Sequence, residues 1–366
     1  MVENKMRAYK EFYVESLLHN VQVIKKNIPK STKIMAVVKA NAYGINAVNV
    51  AIILEYIGID FFAVATIDEA IALRKNGITS NILILGYTTP TKVDDLIHYE
   101  LTQTIVSKEH AYFLNKTGKK IMCHLKVDTG MHRLGVEPTL EEICPIFNYP
   151  FLKIKGVYSH LGSADDLSEE GKQRTIKQIS RYNTIIAELK RKRVDVGLTH
   201  LQSSYGILNY SELAYDYVRP GIILYGLLSN NDHNVKLHLD LQPVVAVKAQ
   251  LISKKKIAPG EYIGYGTDTQ LTSSKTIGVL SIGYADGIPR NLSNGEYCVV
   301  FEDKQIPQIG RICMDMMLVD LSNCSDIPLG VMVDVLPNIE EISQIQSTIT
   351  NEIISCLGSR LGMEVK

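Results

Sequence analysis

Two patterns of hydrophobic and polar positions divide this chain. From about residue 13 to 226, short apolar runs alternate with amphipathic stretches, a pattern typical of βαβ units around a parallel sheet. The clearest amphipathic stretch, Glu169–Lys192, predicts a long helix. Eight such units without a GxGxxG nucleotide motif favour a (β/α)8 barrel over a doubly wound sheet. The apolar runs predict strands at Ile34–Lys39, Phe61–Thr66, Ile82–Gly86, Gln103–Val106, Ile121–Val127, Ile154–His160, Leu198–Ser203 and Tyr217–Leu224.

The regular alternation stops in the polar, Asn-rich stretch Leu228–Leu241, which predicts a linker. Beyond it, short runs rich in Val, Ile and Tyr are separated by Gly, Pro, Asn and Asp, which indicates strands. A segment from Ile339 to the C-terminus is apolar on one face and predicts a closing helix. We therefore expect a (β/α)8 TIM barrel over residues 1–230 and a β-rich C-terminal domain over residues 231–366.

Composition narrows the possible functions. The chain has 39 Lys and Arg against 39 Asp and Glu, with no block of like charges, so neither nucleic acid nor an anionic membrane surface is an expected partner. The first twenty residues carry charges throughout and no apolar run, so we expect that they are not a signal peptide. The longest apolar stretch is interrupted by Glu55 and Asp60, so we expect a cytoplasmic location without membrane contact by this chain. Six widely spaced cysteines predict reduced thiols and no metal site.

The candidate chemistry lies at the strand ends. In a (β/α)8 barrel, active-site residues follow the C-terminal ends of the strands. Taken singly, Lys39 has a structural explanation as a lysine at the barrel rim, His160 as a core histidine and Arg219 as half of an ion pair. Together, a lysine able to form a Schiff base and a Ser/Gly-rich phosphate end fit pyridoxal 5′-phosphate. The strand-end residues are Lys39, Lys126, Asp128, Arg133, His160, Ser203, Ser204 and Arg219.

Six motifs, in order along nearly the whole chain, resemble the alanine racemase family. They are VVKANAYG at 37–44, KVDTGMHRLG at 126–135, YVRPGIILYG at 217–226, IGYG at 263–266, GYADGIPR at 283–290 and GRICMDMMLVDLS at 310–322. The resemblance implies a barrel followed by a β domain, pyridoxal phosphate as cofactor, and a homodimer whose active sites contain residues of both subunits.

The resemblance also implies roles for individual residues. Lys39 matches the lysine that binds the cofactor covalently and serves as one acid/base, and Tyr265 matches the opposing acid/base, donated by the partner subunit. The implied cofactor contacts are Tyr43, Ser204, Gly221 and Ile222 at the phosphate, Arg219 at the pyridine nitrogen, His160 between Arg219 and the tyrosine, and Arg133 at the phenolate. The implied substrate contacts are Arg133 and the Met314 amide at the carboxylate, with Tyr284 and Asp315 at the access route. Lys126 matches a lysine that is carbamylated in some relatives.

The chemistry of racemisation needs these residue types. A proton leaves Cα on one face and another returns on the opposite face, so two acid/base groups are required. A free tyrosine has a pKa near ~10, and a cationic arginine reached through a histidine would favour its phenolate. An arginine at the pyridine nitrogen leaves that nitrogen unprotonated, which disfavours decarboxylation and transamination.

Two departures from the family pattern are informative. AYGIN, with Ile45 and Asn46, replaces the usual AYGHG and predicts a small change at the rim. Asn351 stands where the family has a tyrosine beside the substrate methyl group, and an asparagine there leaves room and a partner for a CH₂OH group. This ending and the central stretch GYTTPTKVDDLIHYELTQTIVS resemble the serine/alanine racemases associated with vancomycin resistance, in which a membrane domain precedes the catalytic region. The alternative is a surface residue in a plain alanine racemase.

The sequence therefore predicts a racemase of serine and alanine that supplies D-amino acids for peptidoglycan. One alternative is a basic-amino-acid decarboxylase, which usually has a glutamate where this chain has Arg219. Another is a non-catalytic pyridoxal phosphate carrier, which lacks the second domain.

Overall fold

The computed structural model describes residues 6–229, 234–295 and 297–366, and these form two units. The barrel unit comprises residues 18–224 and 234–241, and the β unit comprises residues 6–17, 225–229 and 242–366. The predicted boundary between residues 230 and 231 lies outside the described residues. The N-terminal segment differs from the predicted division, because residues 6–17 group with the β unit and not with the barrel.

The elements are numbered in chain order. The strands are β1 (Ala8–Phe12), β2 (Lys33–Ile34), β3 (Ala36–Val37), β4 (Phe61–Val64), β5 (Asn81–Ile84), β6 (Thr102–Ile105), β7 (Ile121–Lys126), β8 (Leu152–Tyr158), β9 (Leu198–Ser203), β10 (Tyr217–Arg219), β11 (Val245–Ile257), β12 (Lys275–Leu280), β13 (Cys298–Phe301), β14 (Lys304–Pro307), β15 (Met317–Asp320), β16 (Met332–Asp334) and β17 (Gly362–Val365). The helices are α1 (Val14–Lys26), α2 (Lys39–Tyr43), α3 (Ala47–Tyr56), α4 (Ile67–Lys75), α5 (Val93–His98), α6 (Lys108–Lys116), α7 (Leu140–Phe147), α8 (Glu169–Arg191), α9 (Ser204–Asn209), α10 (Ile339–Ile345) and α11 (Thr350–Ser355). Short 3₁₀ turns cover Pro90–Lys92, Ile222–Tyr225, Tyr284–Asp286 and Arg290–Leu292.

The barrel unit contains the predicted parallel barrel. Its strands follow the order β2-β10-β9-β8-β7-β6-β5-β4-β3, and every neighbouring pair is parallel. Only Met35 separates β2 from β3, so these two pieces act as one strand that closes the sheet between β10 and β4. The (β/α)8 prediction is confirmed, and each of the predicted runs overlaps a strand.

The eighth predicted strand is shorter than expected. The apolar run Tyr217–Leu224 is extended only to Arg219, and Ile222–Tyr225 forms a 3₁₀ turn. Pro220, which follows β10, has no N–H to continue the ladder. The chain therefore turns at Gly221, directly after the arginine that the strand carries.

The β unit is built around the long strand β11. The first part of β11 pairs with β1 and β16, and its second part pairs with β12, which in turn pairs with β15. Val247, Ala249 and Leu251 are fully buried at every second position of β11, as expected for a strand with one face in a core. The predicted β-rich second domain is confirmed.

The predicted helix from Ile339 to the C-terminus is wrong. The segment forms α10 and α11, separated by Ser347 in a left-handed conformation with φ of 51°. It then ends in β17, which pairs in parallel with β1. An apolar face alone does not distinguish one helix from two helices and a strand. The last residues are extended because they pair with β1, which is distant in sequence. No helix of the described residues is long and apolar enough to cross a membrane.

Candidate active site

The first candidate residue, Lys39, follows β3 and begins an unusual left-handed turn. Ala40, Asn41, Ala42 and Tyr43 all have φ between 52° and 54°, a region that costs non-glycine residues roughly 1 kcal/mol or more each. Tertiary contacts hold the turn, because the Ala40 N–H donates to the Glu69 carboxylate over 2.6 Å. Within the segment, the Ala42 N–H donates to Val38 and the Gly44 N–H to Ala40. Such concentrated strain is typical of a functional site.

Positive charges gather at the mouth of the barrel. Burial lowers the pKa of Lys39, Arg133 lowers it further, and Glu69 opposes them. Lys126, the last residue of β7, is 6% exposed, and burial together with Arg133 and Arg219 lowers its pKa to about 8. The nearby Asp128 carboxylate accepts three backbone N–H groups of the following turn. The mouth therefore suits anionic groups such as a phosphate and a carboxylate.

Arg219 is buried at the end of β10 without a carboxylate partner among the described residues. Its Nη1 donates to Nδ1 of His200 over 2.6 Å, and its Nη2 donates to the carbonyls of Ser159 and Leu201 at 2.7 and 3.0 Å. The guanidinium also lies 5.0 Å from the centre of the Tyr158 ring. Burial lowers the pKa of Arg219 to about 10, so it stays protonated at neutral pH. Its Nε–H has no partner within the part of the chain that the structure describes, and this donor remains for a ligand.

Two histidines contact Arg219 and are held as neutral rings. Burial and the Arg219 charge lower the pKa of both His160 and His200 well below 6.5. Since a guanidinium only donates, Nδ1 of each ring is the acceptor, and the proton lies on Nε2. His200 then donates from Nε2 to His124 over 2.8 Å. His160, at 3.2 Å from Arg219, has an Nε2–H to donate to a group in the site.

The ends of β9 and β10 form a polar cradle. Ser204, which begins α9, accepts the Gly221 N–H at its hydroxyl over 3.1 Å. A Cβ added at Gly221 would overlap the Tyr43 hydroxyl, so the absence of a side chain there lets the phenol approach the backbone. Burial raises the pKa of Tyr43 to about 12, which keeps its hydroxyl a donor. Ile222 is buried beside this cradle.

These features fit pyridoxal phosphate. The cradle offers hydroxyl groups and backbone to a phosphate. The Nε–H of Arg219, which no described residue accepts, matches the unprotonated pyridine nitrogen. Lys39 has a lowered pKa, which favours the neutral amine that reacts with an aldehyde. The barrel unit thus brings together the predicted residues Lys39, Tyr43, Lys126, Arg133, His160, Ser204, Arg219, Gly221 and Ile222.

The remaining predicted residues belong to the β unit. Tyr265 is 68% exposed on a loop between Gly264 and Gly266, whose φ values of 72° and 80° favour glycine. Arg311 packs against Gly266 and pairs with Asp268, which supports the loop. The phenol of Tyr265 is therefore exposed, on a loop whose backbone is stabilised by the Arg311 contacts.

A second cluster of the β unit contains Tyr284, Met314 and Asp315. The Tyr284 N–H donates to Cys313, and the Ala285 N–H donates to Met314, each over 3.0 Å. Asp315 pairs with Arg360 at 2.7 Å. The side chains of Tyr284 and Met314 are 39% and 52% exposed, so both are accessible in the single chain.

Asn351 lies in the first turn of α11 and is half-buried. Its Oδ1 accepts a hydrogen bond from the Ser229 hydroxyl over 2.7 Å. The other departure from the family pattern has a structural explanation, because Asn46 caps α3 by accepting the Asn49 N–H. Ile45 is buried.

Sequence reasoning did not single out Glu69, Tyr158 or His200. Glu69 contacts the left-handed turn and completes the capping box of α4. The T-x-x-E signature at Thr66 to Glu69 could have indicated the cap, but not the contact with Ala40. His200 and Tyr158 are buried on the barrel strands, and their rings stack at 4.5 Å beneath Arg219. A polar residue in a buried strand was the available signal for His200.

Comparisons with known proteins agree with this geometry. Residues 13–229 match the alanine racemase N-terminal domain, and residues 244–365 match the alanine racemase C-terminal domain. A serine/alanine racemase of Enterococcus gallinarum is 52% identical over 98% of this chain and 52% of its own length. An amino-acid racemase of Enterococcus faecalis is 54% identical over 98% of this chain and 51% of its own. The chain thus spans about half the length of these curated relatives.

Solved structures give the same result. An alanine racemase of Clostridium difficile 630 superposes with a TM-score of 0.91 at 31% identity, covering 99% of this chain and 96% of its own. An alanine racemase of Bartonella henselae with covalently bound pyridoxal phosphate has a TM-score of 0.84 at 29% identity, covering 98% and 99%. The family depends on pyridoxal phosphate. On both halves of the sequence and on the fold, this chain belongs to the alanine racemase family.

Proposed function

We propose that this chain is the catalytic region of a pyridoxal-phosphate-dependent racemase that interconverts the L and D forms of serine and alanine. The observation that carries the proposal is the barrel mouth, where Lys39 interacts electrostatically with Arg133 and Lys126, and where the Nε–H of Arg219 has no partner among the described residues. When bound, the cofactor delocalises the electron pair that Cα retains after losing its proton. The product D-amino acids would serve peptidoglycan synthesis, and a role in vancomycin resistance stays a prediction.

In this proposal two side chains exchange the Cα proton. Lys39 acts on one face, because its lowered pKa leaves part of the amine neutral and able to accept a proton. Tyr265 of the partner subunit acts on the opposite face. His160 donates from Nε2 to that phenol oxygen and so favours the phenolate, while Arg219 fixes the tautomer of His160. A homodimer with shared sites follows from this arrangement.

Other residues hold the substrate and the cofactor. Arg133 and the Met314 amide bind the substrate carboxylate, and Tyr284 and Asp315 line the access route. Lys126 is the proposed carbamylated lysine. Its neutral amine, favoured by a pKa of about 8, would form an N–C bond to CO₂ and release one proton, and Arg133 and Arg219 would stabilise the resulting anion. A ¹³C-carbonate NMR signal that disappears in Lys126→Gln tests this modification.

The proposed activity is tested by incubating the holoenzyme with L-serine and L-alanine in D₂O. We expect deuterium at Cα together with both enantiomers, and no activity in Lys39→Ala. A decarboxylase would release CO₂ and the amine, and a cofactor carrier would leave both amino acids unchanged. Either of those results would contradict the proposal.

Asn351 is proposed to direct the enzyme toward serine. Asn351→Tyr should fill the space and remove the amide that binds a hydroxyl, a loss of ~1–3 kcal/mol for serine only. We expect the serine-to-alanine ratio of kcat/KM to fall by about 5- to 150-fold while alanine turnover is retained. The ratio is measured on proteins of equal cofactor content. A change within about twofold would make this a plain alanine racemase.

A further inference from the structure

The carboxylate of Glu69 joins the turn after Lys39 to the start of α4. Its Oε1 accepts the Ala40 N–H over 2.6 Å, and its Oε2 accepts the Ala65 N–H over 2.7 Å and the Thr66 N–H over 3.3 Å. The Thr66 hydroxyl in turn accepts the Glu69 N–H over 3.3 Å, which completes the capping box. One carboxylate oxygen therefore serves the turn, and the other serves the helix cap.

The contact with Ala40 fixes the backbone directly beside Lys39. The Ala40 N–H belongs to the peptide group that follows the α-carbon of Lys39. The peptide group that precedes this α-carbon is bonded within the turn, since the Val38 carbonyl accepts the Ala42 N–H over 2.9 Å. Glu69 thus supplies a contact from outside the turn, on the side of Lys39 where the chain becomes left-handed.

The turn depends on outside contacts because its backbone is strained. Residues 40–43 are four consecutive non-glycine residues with φ between 52° and 54°, which is unfavourable for an L side chain. Ala40 is exposed, so packing of its own methyl group does not hold it in this conformation. A strained backbone persists only where the surrounding structure over-determines it. Without the carboxylate oxygen, Ala40 should relax and move Lys39 away from its place at the barrel mouth.

Glu69 also acts on Lys39 through its charge. Burial is the main cause that lowers the pKa of Lys39, Arg133 lowers it further, and Glu69 raises it. Lys126 interacts electrostatically with Lys39 as well. The Glu69 carboxylate is thus a negative group that offsets the cations around this amine.

We propose that Glu69 is a positioning residue for Lys39, whose carboxylate holds the strained turn so that the amine stays at the barrel mouth. This inference rests on the proposed function of Lys39 and adds a second residue to it. Glu69 acts through the backbone at Ala40 and through its charge, so its effect belongs to the proton transfer by Lys39 and not to substrate binding.

Glu69→Gln separates the two contacts of the carboxylate. Glutamine serves a capping box as glutamate does, so its amide oxygen can still accept the Ala65 and Thr66 N–H groups. Its amide nitrogen then faces the Ala40 N–H, and two donors cannot bond. In the holoenzyme with alanine as substrate, we expect kcat to fall by about 10- to 100-fold at equal cofactor content, the usual cost of a misplaced reacting group, with KM within about twofold.

Glu142→Gln is the matched control. Glu142 occupies the same position in α7 as Glu69 does in α4, three residues after the N-cap Thr139, whose hydroxyl accepts its N–H over 3.4 Å. The carboxylate of Glu142 binds the exposed Lys108. This variant should leave kcat and KM unchanged.

A measurement on Lys39 itself needs no turnover. The whole chain, freed of cofactor with hydroxylamine, is labelled with trace acetic anhydride over a range of pH, and mass spectrometry of its peptides gives the midpoint for Lys39. In Glu69→Gln the midpoint should move to lower pH, because a negative charge near the amine is lost. In Glu142→Gln it should stay in place. An unchanged midpoint in Glu69→Gln would contradict the position of Glu69 near the amine.

Ala40→Gly tests the strain of the turn. Glycine adopts a positive φ without steric cost, and the exposed Ala40 methyl group contributes little packing. In the Glu69→Gln background, Ala40→Gly should therefore restore kcat by about 3- to 10-fold. It should not restore the labelling midpoint, which depends on charge. Absence of any recovery of kcat would contradict the role of strain.

The outcomes separate this role from the proposed function. If Glu69→Gln keeps kcat within twofold of the parent, or if Glu142→Gln lowers kcat equally, the role of Glu69 is wrong and the role of Lys39 stands. If Glu69→Gln does not fold, Glu69→Asp decides by the same criterion, since it keeps the charge and shortens the reach to Ala40. If Lys39→Ala retains racemisation, the proposed function of Lys39 fails, and the role of Glu69 is rejected with it.

Discussion

Tyr265→Phe is expected to lower racemisation by ~10²–10⁴-fold in both directions, the usual effect of losing a general acid/base. The substitution removes only the hydroxyl. The loop should keep its shape, because its conformation depends on Gly264, Gly266 and the Arg311–Asp268 pair and not on the phenol oxygen. Cofactor content should therefore be unchanged.

Proton exchange measured in D₂O distinguishes this role from a general loss of function. With Lys39 still present on one face, one enantiomer should exchange its Cα proton without inversion, while the other should not exchange. Tyr262→Phe is a matched control, since Tyr262 is 50% exposed near the same loop and takes no part in the proposed proton transfer. Racemisation at the parental rate in Tyr265→Phe would mean that another group acts on that face.

Mixing two inactive variants tests whether Tyr265 serves the partner subunit. Refolded mixtures of Tyr265→Phe and Lys39→Ala would contain mixed dimers in which one of the two sites has both residues. At equal amounts, about a quarter of all sites would be complete, so about a quarter of the activity should return. If Tyr265 acted within its own subunit, no mixing would restore activity.

The grouping of the candidate residues at the strand ends was predictable from the geometry of a parallel barrel. Parallel strands of a closed sheet all end at one face, so Lys39, Lys126 and Arg219 meet there even though they are distant in sequence. The local conformation after Lys39 was not predictable. Ala40, Asn41 and Ala42 have no intrinsic preference for a left-handed turn, and the contact with Glu69 that holds them is tertiary.

In the β unit, the strand pairing of the two chain ends was likewise not predictable from the sequence. Strand β1 precedes the barrel in sequence but pairs with β11 and β17, and β17 replaces part of the helix predicted from Ile339. Alternating or apolar patterns identify which residues are buried. They do not identify the strand partner, because pairing between residues more than 200 positions apart depends on the whole fold.

Arg219→Glu is the second substitution with a large expected effect. The carboxyl group would face the carbonyls of Ser159 and Leu201, which now accept N–H groups from Arg219, and Nδ1 of His160 would lose its donor. We expect racemisation to fall by ~10²–10³-fold, the loss typical of removing one oriented donor from an active site. A carboxyl group also keeps a proton on the pyridine nitrogen, so release of the keto acid by transamination should rise relative to racemisation.

Arg219→Lys provides the control, because it keeps the positive charge and loses the forked contacts to His200, Ser159 and Leu201. It should lose racemisation without gaining keto acid, since lysine does not hold a proton on the pyridine nitrogen as a carboxyl group does. Both products are measured by chromatography at equal cofactor content, and circular dichroism establishes that each variant is folded. Equal keto acid release from the two variants would contradict this explanation. It would show that the buried position of Arg219 directs the chemistry toward racemisation, and not the failure of arginine to protonate the pyridine nitrogen.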